Sequence, residues 1–207
     1  MAAMRSAPRL VAAAALALLP ALAVPATAAS PRWIELFDGR SIAGWRMTGP
    51  GSFTVANGAL VTHGGMGLLW YERRRFGDFE LEVEWKVAQP CANSGIFLRF
   101  PGRPGSPLDA VSAGYEVQID DCDPDGLRQR TGSIYDLAPA RRVASRPAGR
   151  WNRFRIRVVG QHYTVVLNGA RVTDFDGSRG LVGYVGLQNH DPGSRVSFRR
   201  VRVRTLG

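Results

Sequence analysis

The amino-acid sequence predicts an all-β protein, an antiparallel two-sheet sandwich of the jelly-roll type. Three observations carry this. Period-two alternation of apolar and polar residues recurs along the chain, no long stretch repeats apolar residues at helical spacing, and Asn-Gly dipeptides sit between alternating runs.

The elements follow in order. Arg5 and Arg9 precede the apolar run Leu10 to Leu19, and Ala26-Thr27-Ala28 supplies the small-x-small pattern of a signal-peptidase site. The run is too short for a membrane span, which needs about 20 residues. Residues 1–28 therefore read as a cleaved export signal, which predicts a secreted or periplasmic protein with no membrane span, and residues 29–207 as one domain. The runs FTVANGALV and YTVVLNGARV are expected to form tight hairpins at Asn57-Gly58 and Asn168-Gly169, because Asn-Gly readily takes the positive φ of a two-residue turn. FELEVEWKV, residues 79–87, alternates Phe79, Leu81, Val83, Trp85 and Val87 with Glu80, Glu82, Glu84 and Lys86, and reads as a strand whose charged side faces solvent. Residues 153–159 repeat the pattern, and further strands are expected near 181–190 and 195–204. Segments 101–113 and 137–150, rich in Pro, Gly and Ala, read as long loops, and Trp151 as a core residue.

Without residues 1–28 the chain carries 25 basic against 17 acidic residues, a formal charge of +8. The basic residues are nearly all arginine and are dispersed along the strands instead of gathered in an arm. This argues against a nucleic-acid partner.

The cysteines set a register. Cys91 and Cys122 flank two strand-like runs, NSGIFLRF (93–100) and GYEVQID (114–120). If the runs pair antiparallel with Cys91 opposite Cys122, Asn93 faces Asp120, Gly95 faces Gln118, Phe97 faces Glu116, and Arg99 faces Gly114. That register puts Asn93, Arg99, Glu116, Gln118 and Asp120 on one face, and Ile96, Leu98, Phe100, Tyr115, Val117 and Ile119 on the other. A disulfide is feasible in this geometry and expected for an exported protein; two free thiols at loop ends are the alternative. The polar face is wider than a solvated strand needs, and Gly95 and Gly114 beside it suggest space for a ligand.

From LFDGRSIAGW (36–45) through DFELEVEWK (78–86), NSGIFLR (93–99), GYEVQIDD (114–121), TGSIYDLAP (131–139), GRWNRFRI (149–156), LNGARV (167–172) and GYVGLQNH (183–190) to VSFRRVRVRTL (196–206), the chain resembles the 3-keto-disaccharide hydrolase-like family, formerly a domain of unknown function. It departs at Arg200, where family members more often carry Asn. The resemblance implies a concanavalin A-like lectin/glucanase fold and action on glycosides whose C3 hydroxyl has been oxidised to a ketone. A C3 ketone acidifies the C2 proton; a base removes it, the enolate expels the C1 substituent, and water then adds, for net hydrolysis.

On this reading Glu116 is the base, Arg99 stabilises the enolate or holds the sugar, and His190, two residues beyond Gln188 in LQNH, serves as acid or base. Asn93, Gln118, Asp120, Gln188 and Tyr135 are substrate-binding candidates. The partner is a carbohydrate substrate, with a sugar 3-dehydrogenase as the functional partner that makes the ketone. No cofactor is required; the acidic run DDCDPDG is compatible with a divalent cation such as calcium but does not match the EF-hand spacing, so no metal ligand is assigned. Two alternatives stay open: a non-catalytic lectin-like binding module, and a retaining glucanase. For the latter, Glu116 and Asp120, four residues apart on one strand, lie ~13 Å apart at their backbones, whereas retaining enzymes need carboxyls ~5–5.5 Å apart.

Overall fold

A computed structural model describes residues 32–122 and 126–207. The expected export signal, residues 1–28, and residues Asp123 and Asp125 of the acidic run lie outside the described residues. Within residues 31–207, a single compact unit, thirteen strands form two antiparallel sheets. They are β1 (Ile34–Glu35), β2 (Trp45–Thr48), β3 (Ser52–Ala56), β4 (Ala59–His63), β5 (Gly67–Tyr71), β6 (Phe79–Val87), β7 (Ser94–Phe100), β8 (Tyr115–Ile119), β9 (Asn152–Val159), β10 (His162–Leu167), β11 (Ala170–Asp176), β12 (Tyr184–Asn189) and β13 (Val196–Thr205). The larger sheet runs β11-β10-β9-β6-β13-β4-β3, with β1 added to β13; the smaller runs β2-β5-β12-β7-β8. This is the expected jelly-roll sandwich.

Both Asn-Gly hairpins form. Asn57 and Gly58 take φ of 51° and 74°, Asn168 and Gly169 take 51° and 91°, and the flanking pairs are Ala56 with Ala59 and Leu167 with Ala170. Between the sheets, Leu81, Val83 and Trp85 of β6, Phe154, Ile156 and Val158 of β9, and Val196, Phe198 and Val203 of β13 meet Ile96 and Leu98 of β7, Tyr115, Val117 and Ile119 of β8, and Val185 and Leu187 of β12. Alternation along each strand has sorted these residues inward.

The β7–β8 register is the one the cysteines imply. Gly95 pairs with Gln118, Ile96 with Val117, and Phe97 with Glu116. Cys91 and Cys122 are bridged, with Cα atoms 4.9 Å apart. The free edge of β8 is closed by residues 131–135: Gln118 N donates to Ser133 O, and Tyr135 N to Glu116 O.

Four expectations need correction. The first concerns Arg99, which leaves the face of Glu116. A bulge lets Tyr184 pair with Phe100 while Val185 pairs with Leu98, and Arg99, at φ 54°, is the extra residue. Alternation is broken there, so Phe100 turns outward and Arg99 turns in, fully buried, to the ends of β6 and β9 in the other sheet. Its guanidinium donates to Gly77 O (2.6 Å), Asp78 Oδ1 (2.9 Å), the Tyr163 hydroxyl (3.4 Å) and Gly160 O. A Cβ on Gly183, opposite, would lie 2.3 Å from the Arg99 carbonyl carbon, so the bulge requires a glycine there.

The second concerns the carboxylates of β6, which are not a solvated row. The Glu80 and Glu82 side chains are 5% and 1% exposed, roofed by Arg155, Arg202 and Arg204. Third, the stretch 101–113 is not all loop: Leu108–Ala113 form a short helix, α1, whose Ala110 packs with Leu68, Trp70, Phe97 and Phe100 on the outer side of the smaller sheet. Fourth, Trp151 is a half-buried surface residue with the Arg199 guanidinium 4.0 Å from its ring centre.

Arg200 also becomes intelligible. A second bulge, between Arg199 and Arg202 on β13, holds it at φ 48°, in the left-handed region that asparagine enters more easily than most residues.

Arg99→Ala strips a buried network of its central cation and is expected to cost about 3–5 kcal/mol in urea unfolding. Arg99→Lys recovers only part of this, since an ammonium lacks the fork that reaches both ends of the network. Breaking the Cys91–Cys122 bridge, which spans a sequence separation of 31, is expected to cost about 3–4 kcal/mol. A loss below about 1 kcal/mol in Arg99→Ala contradicts the structural role assigned to Arg99.

Candidate active site

The outer face of the smaller sheet carries its polar side chains in rows set by register. Trp70, Gly186, Phe97 and Glu116 lie side by side across β5, β12, β7 and β8. The next row holds Leu68 paired with Gln188, and Gly95 paired with Gln118. The Ser94 hydroxyl donates to Gln188 O at 2.6 Å and ties β7 to β12 there. Beyond it, Asn93 Nδ2 donates to Asp120 Oδ2 at 3.1 Å. The apolar end of this face is filled by α1 and its aromatic cluster, and the polar end is not.

Glu116 is the chemically unusual group. It is 4% exposed, and Oε1 has no hydrogen-bond partner in the protein. Burial pushes its pKa up from an ordinary 4.5 to about 8. Gly95 makes the position possible: a Cβ there would sit 1.9 Å from Glu116 Oε1, so the glycine opens room for the carboxyl itself and not for a ligand. Gly114, likewise, serves close backbone approach to Leu98 and Phe100 at the bulge.

Three further buried acceptors on this face, Gln118 Oε1, Gln188 Oε1 and Asn93 Oδ1, also lack partners in the protein. Buried acceptors are ordinarily satisfied, so four together on one face form a surface prepared for donors, such as the hydroxyls of a sugar. Asp120 is more committed to structure: Oδ1 accepts the Cys122 N–H and its own N–H donates to the Thr131 hydroxyl.

Of the remaining candidates, Tyr135 lines a pocket of about 180 Å3 together with Glu116, Tyr115, Ser112, Asp136 and Arg179. Arg179 is the arginine of this pocket, and the sequence reading missed it. It is held by the carbonyls of Val111 (2.9 Å) and Gly114 and by the Tyr115 ring, while the Tyr115 hydroxyl accepts the N–H groups of Ser178 and Arg179. No local pattern marks a loop arginine more than 60 residues from Glu116 in sequence.

His190 follows the end of β12. Its Nδ1 lies 2.8 Å from Asp191 Oδ2, which also accepts the Ser194 hydroxyl at 2.7 Å, and Ser194 Oγ in turn accepts the Asn93 N–H at 2.8 Å. Burial pushes the Asp191 carboxyl up, but hydrogen bonds from Ser194, His190 and Gly193 outweigh it and hold the pKa below the ordinary value. An ionised Asp191 orients the imidazole through Nδ1 and directs Nε2 away from it. The adjacent His-Asp pair was visible in the sequence; its link to Asn93 was not. Among the described residues no cluster of three or more His, Cys, Asp or Glu side chains is arranged to hold a metal ion, and no helix is long and apolar enough to cross a membrane.

The raised pKa of Glu116 has a measurable consequence. Between pH 4.5 and about 8 the folded protein keeps a proton that the unfolded chain has lost. Stability is therefore expected to fall as pH rises through this window and to level off above it. Comparison of urea-unfolding free energies of wild type and Glu116→Gln across that range isolates the contribution; identical pH profiles refute it.

The fold agrees with solved structures. A protein of Parabacteroides distasonis provisionally described as a glycosyl hydrolase superposes with a TM-score of 0.72 at 22% identity, over 84% of this chain and 94% of that one. A carbohydrate-binding module of Bacillus subtilis, CBM66, superposes with a TM-score of 0.60 at 15% identity, over 78% and 96% of the two chains. In sequence the chain is 27% identical to the 3-keto-disaccharide hydrolase of Bacteroides thetaiotaomicron, over 84% of this chain and 78% of that protein. Residues 32–204, the two sheets and the Glu116 face together, match the family model of the 3-keto-alpha-glucoside-1,2-lyase-like domain, and the chain belongs to that family.

Proposed function

We propose that the protein is an exported carbohydrate-active enzyme that cleaves glycosides bearing a ketone at C3, with Glu116 as the base. The observation that carries this is the buried Glu116 carboxyl, unpartnered at Oε1, with a pKa raised to about 8, at the edge of a pocket on an acceptor-rich face. A base of that pKa is matched to an acidified carbon proton near neutral pH, where an ordinary carboxylate would be too weak. Family membership and the name of the Bacteroides relative support the substrate class.

The steps balance. Glu116 takes the C2 proton, and the C–H electron pair becomes the C1–C2 double bond as the C1 substituent leaves with its bonding pair. Charge builds on the C3 oxygen in passing, and Arg179 is the cation of the pocket able to meet it, in the place first expected of Arg99. His190, oriented by Asp191, gives a proton to the departing oxygen. Water addition across the double bond completes net hydrolysis. Asn93, Gln118 and Gln188 accept sugar hydroxyls, and Tyr135 borders the reacting end. A sugar 3-dehydrogenase must first make the ketone.

A binding-only module is the second reading, favoured by the four unpartnered acceptors, which hold a sugar equally well without turnover. The retaining glucanase loses ground, because Asp120 accepts from Asn93 and Cys122 instead of facing Glu116 as a second carboxyl.

Glu116→Gln is expected to lower kcat on a 3-keto-glucoside by ~10²–10⁴-fold with far less change in substrate affinity. The wild-type kcat/KM should rise with pH and level off near 8, the value set for Glu116. The same glycoside with its C3 hydroxyl intact should not be cleaved. Undiminished turnover by Glu116→Gln removes Glu116 as the base, and binding of the keto-glucoside with no turnover by the wild type decides for the binding module.

A further inference from the structure

The outer face of the larger sheet, on the opposite side of the sandwich from Glu116, carries a second pattern. Cross-strand pairs join Arg157, Glu80 and Arg204 in one rung, Arg155, Glu82 and Arg202 in the next, and Arg153, Glu84 and Arg199 in the third. Each carboxylate is thus flanked by two arginines. Arg204 and Arg155 neutralise Glu80, Arg202 neutralises Glu82 and Arg199 neutralises Glu84, which leaves one arginine over in the first rung and one in the third. Among the described residues the side chains of Arg153 and Arg157, both exposed, have no carboxylate or hydrogen-bond partner. The bulge adds Arg200 to the same face in a left-handed conformation an arginine does not favour. The rungs repeat at two-residue intervals, ~6.6–6.8 Å, and Arg153 and Arg157, four residues apart on β9, stand ~13 Å from each other.

At the third rung a pocket of about 200 Å3 is lined by Arg146, Arg153, Arg199, Glu84, Asn152, Asn168 and Trp151. It combines excess positive charge, amides and an aromatic ring in a space suited to one sugar unit. The geometry points to a second site here: a docking face for an acidic polysaccharide, whose carboxylates follow the arginine rungs and one of whose rings sits against Trp151. Guanidinium forks match carboxylates, and the half-buried Trp151 ring offers apolar surface to the C–H groups of a pyranose. This site is independent of the chemistry at Glu116.

The test is binding of polygalacturonate to the full chain, by calorimetry at low and at ~150 mM ionic strength. Arg153→Gln/Arg157→Gln, which breaks no ion pair named above, is expected to weaken binding about tenfold or more, with unchanged unfolding midpoint. Trp151→Ala should weaken it as well, neutral dextran should not bind, and Glu116→Gln should bind as the wild type does. Equal affinity of the double-arginine variant and wild type overturns the proposal, as does tighter binding of duplex DNA than of polygalacturonate.

Discussion

The pairing of β7 with β8 is the constraint on which the rest depends. At one end the Cys91–Cys122 bridge prevents the strands from slipping, and a slip of one residue would exchange their two faces. At the other end the bulge at Arg99 ends the regular alternation and sends the arginine across the sandwich to the ends of β6 and β9. Between these fixed points the register puts Glu116 opposite Phe97 and next to Gly95, where its carboxyl lies over the glycine. The burial of Glu116, and hence its pKa, is a consequence of strand pairing.

The two sheets bury carboxylates by opposite means. Glu80 and Glu82 are covered by arginines supplied in register from β9 and β13, so each buried charge has a countercharge and several donors. Glu116 is buried to a similar degree among Phe97, Gly95 and the segment that closes the edge of β8, where burial raises its pKa. The first arrangement makes a rigid support. The second leaves an unpartnered acceptor where an incoming donor can satisfy it, the arrangement that the proposed base requires. Arg99 belongs to the first kind, as a stitch between the sheets, although its sequence position suggested the second.

Much of this was legible in the chain. Strict alternation marked the strands, Asn-Gly marked both hairpins, and the numerical relation between Cys91 and Cys122 yielded the β7–β8 register together with the shared face of Asn93, Glu116 and Gln118. These features depend on local sterics or on a single covalent link, so sequence spacing suffices to find them. Reading Arg99 onto the same face failed because a bulge is decided by what lies opposite, here Gly183, some 84 positions away in the chain. Arg179 and the Ser194 link between Asp191 and Asn93 were missed for the same reason.

What the sequence alone determined, then, is which residues alternate, where the chain turns, and which side of each strand is polar, since backbone sterics and hydrophobic burial set these locally. Whether a polar side meets water, a partner or nothing was decided only by tertiary structure. The acidic row of β6 looked solvated until β9 and β13 brought arginines to both flanks, and arginines dispersed along the chain became a contiguous array because antiparallel pairing stacks positions that are far apart in sequence. Glu116 shows the limit most plainly: its charge and its face were readable, but desolvation is a property of everything packed around it, and no sequence window contains that.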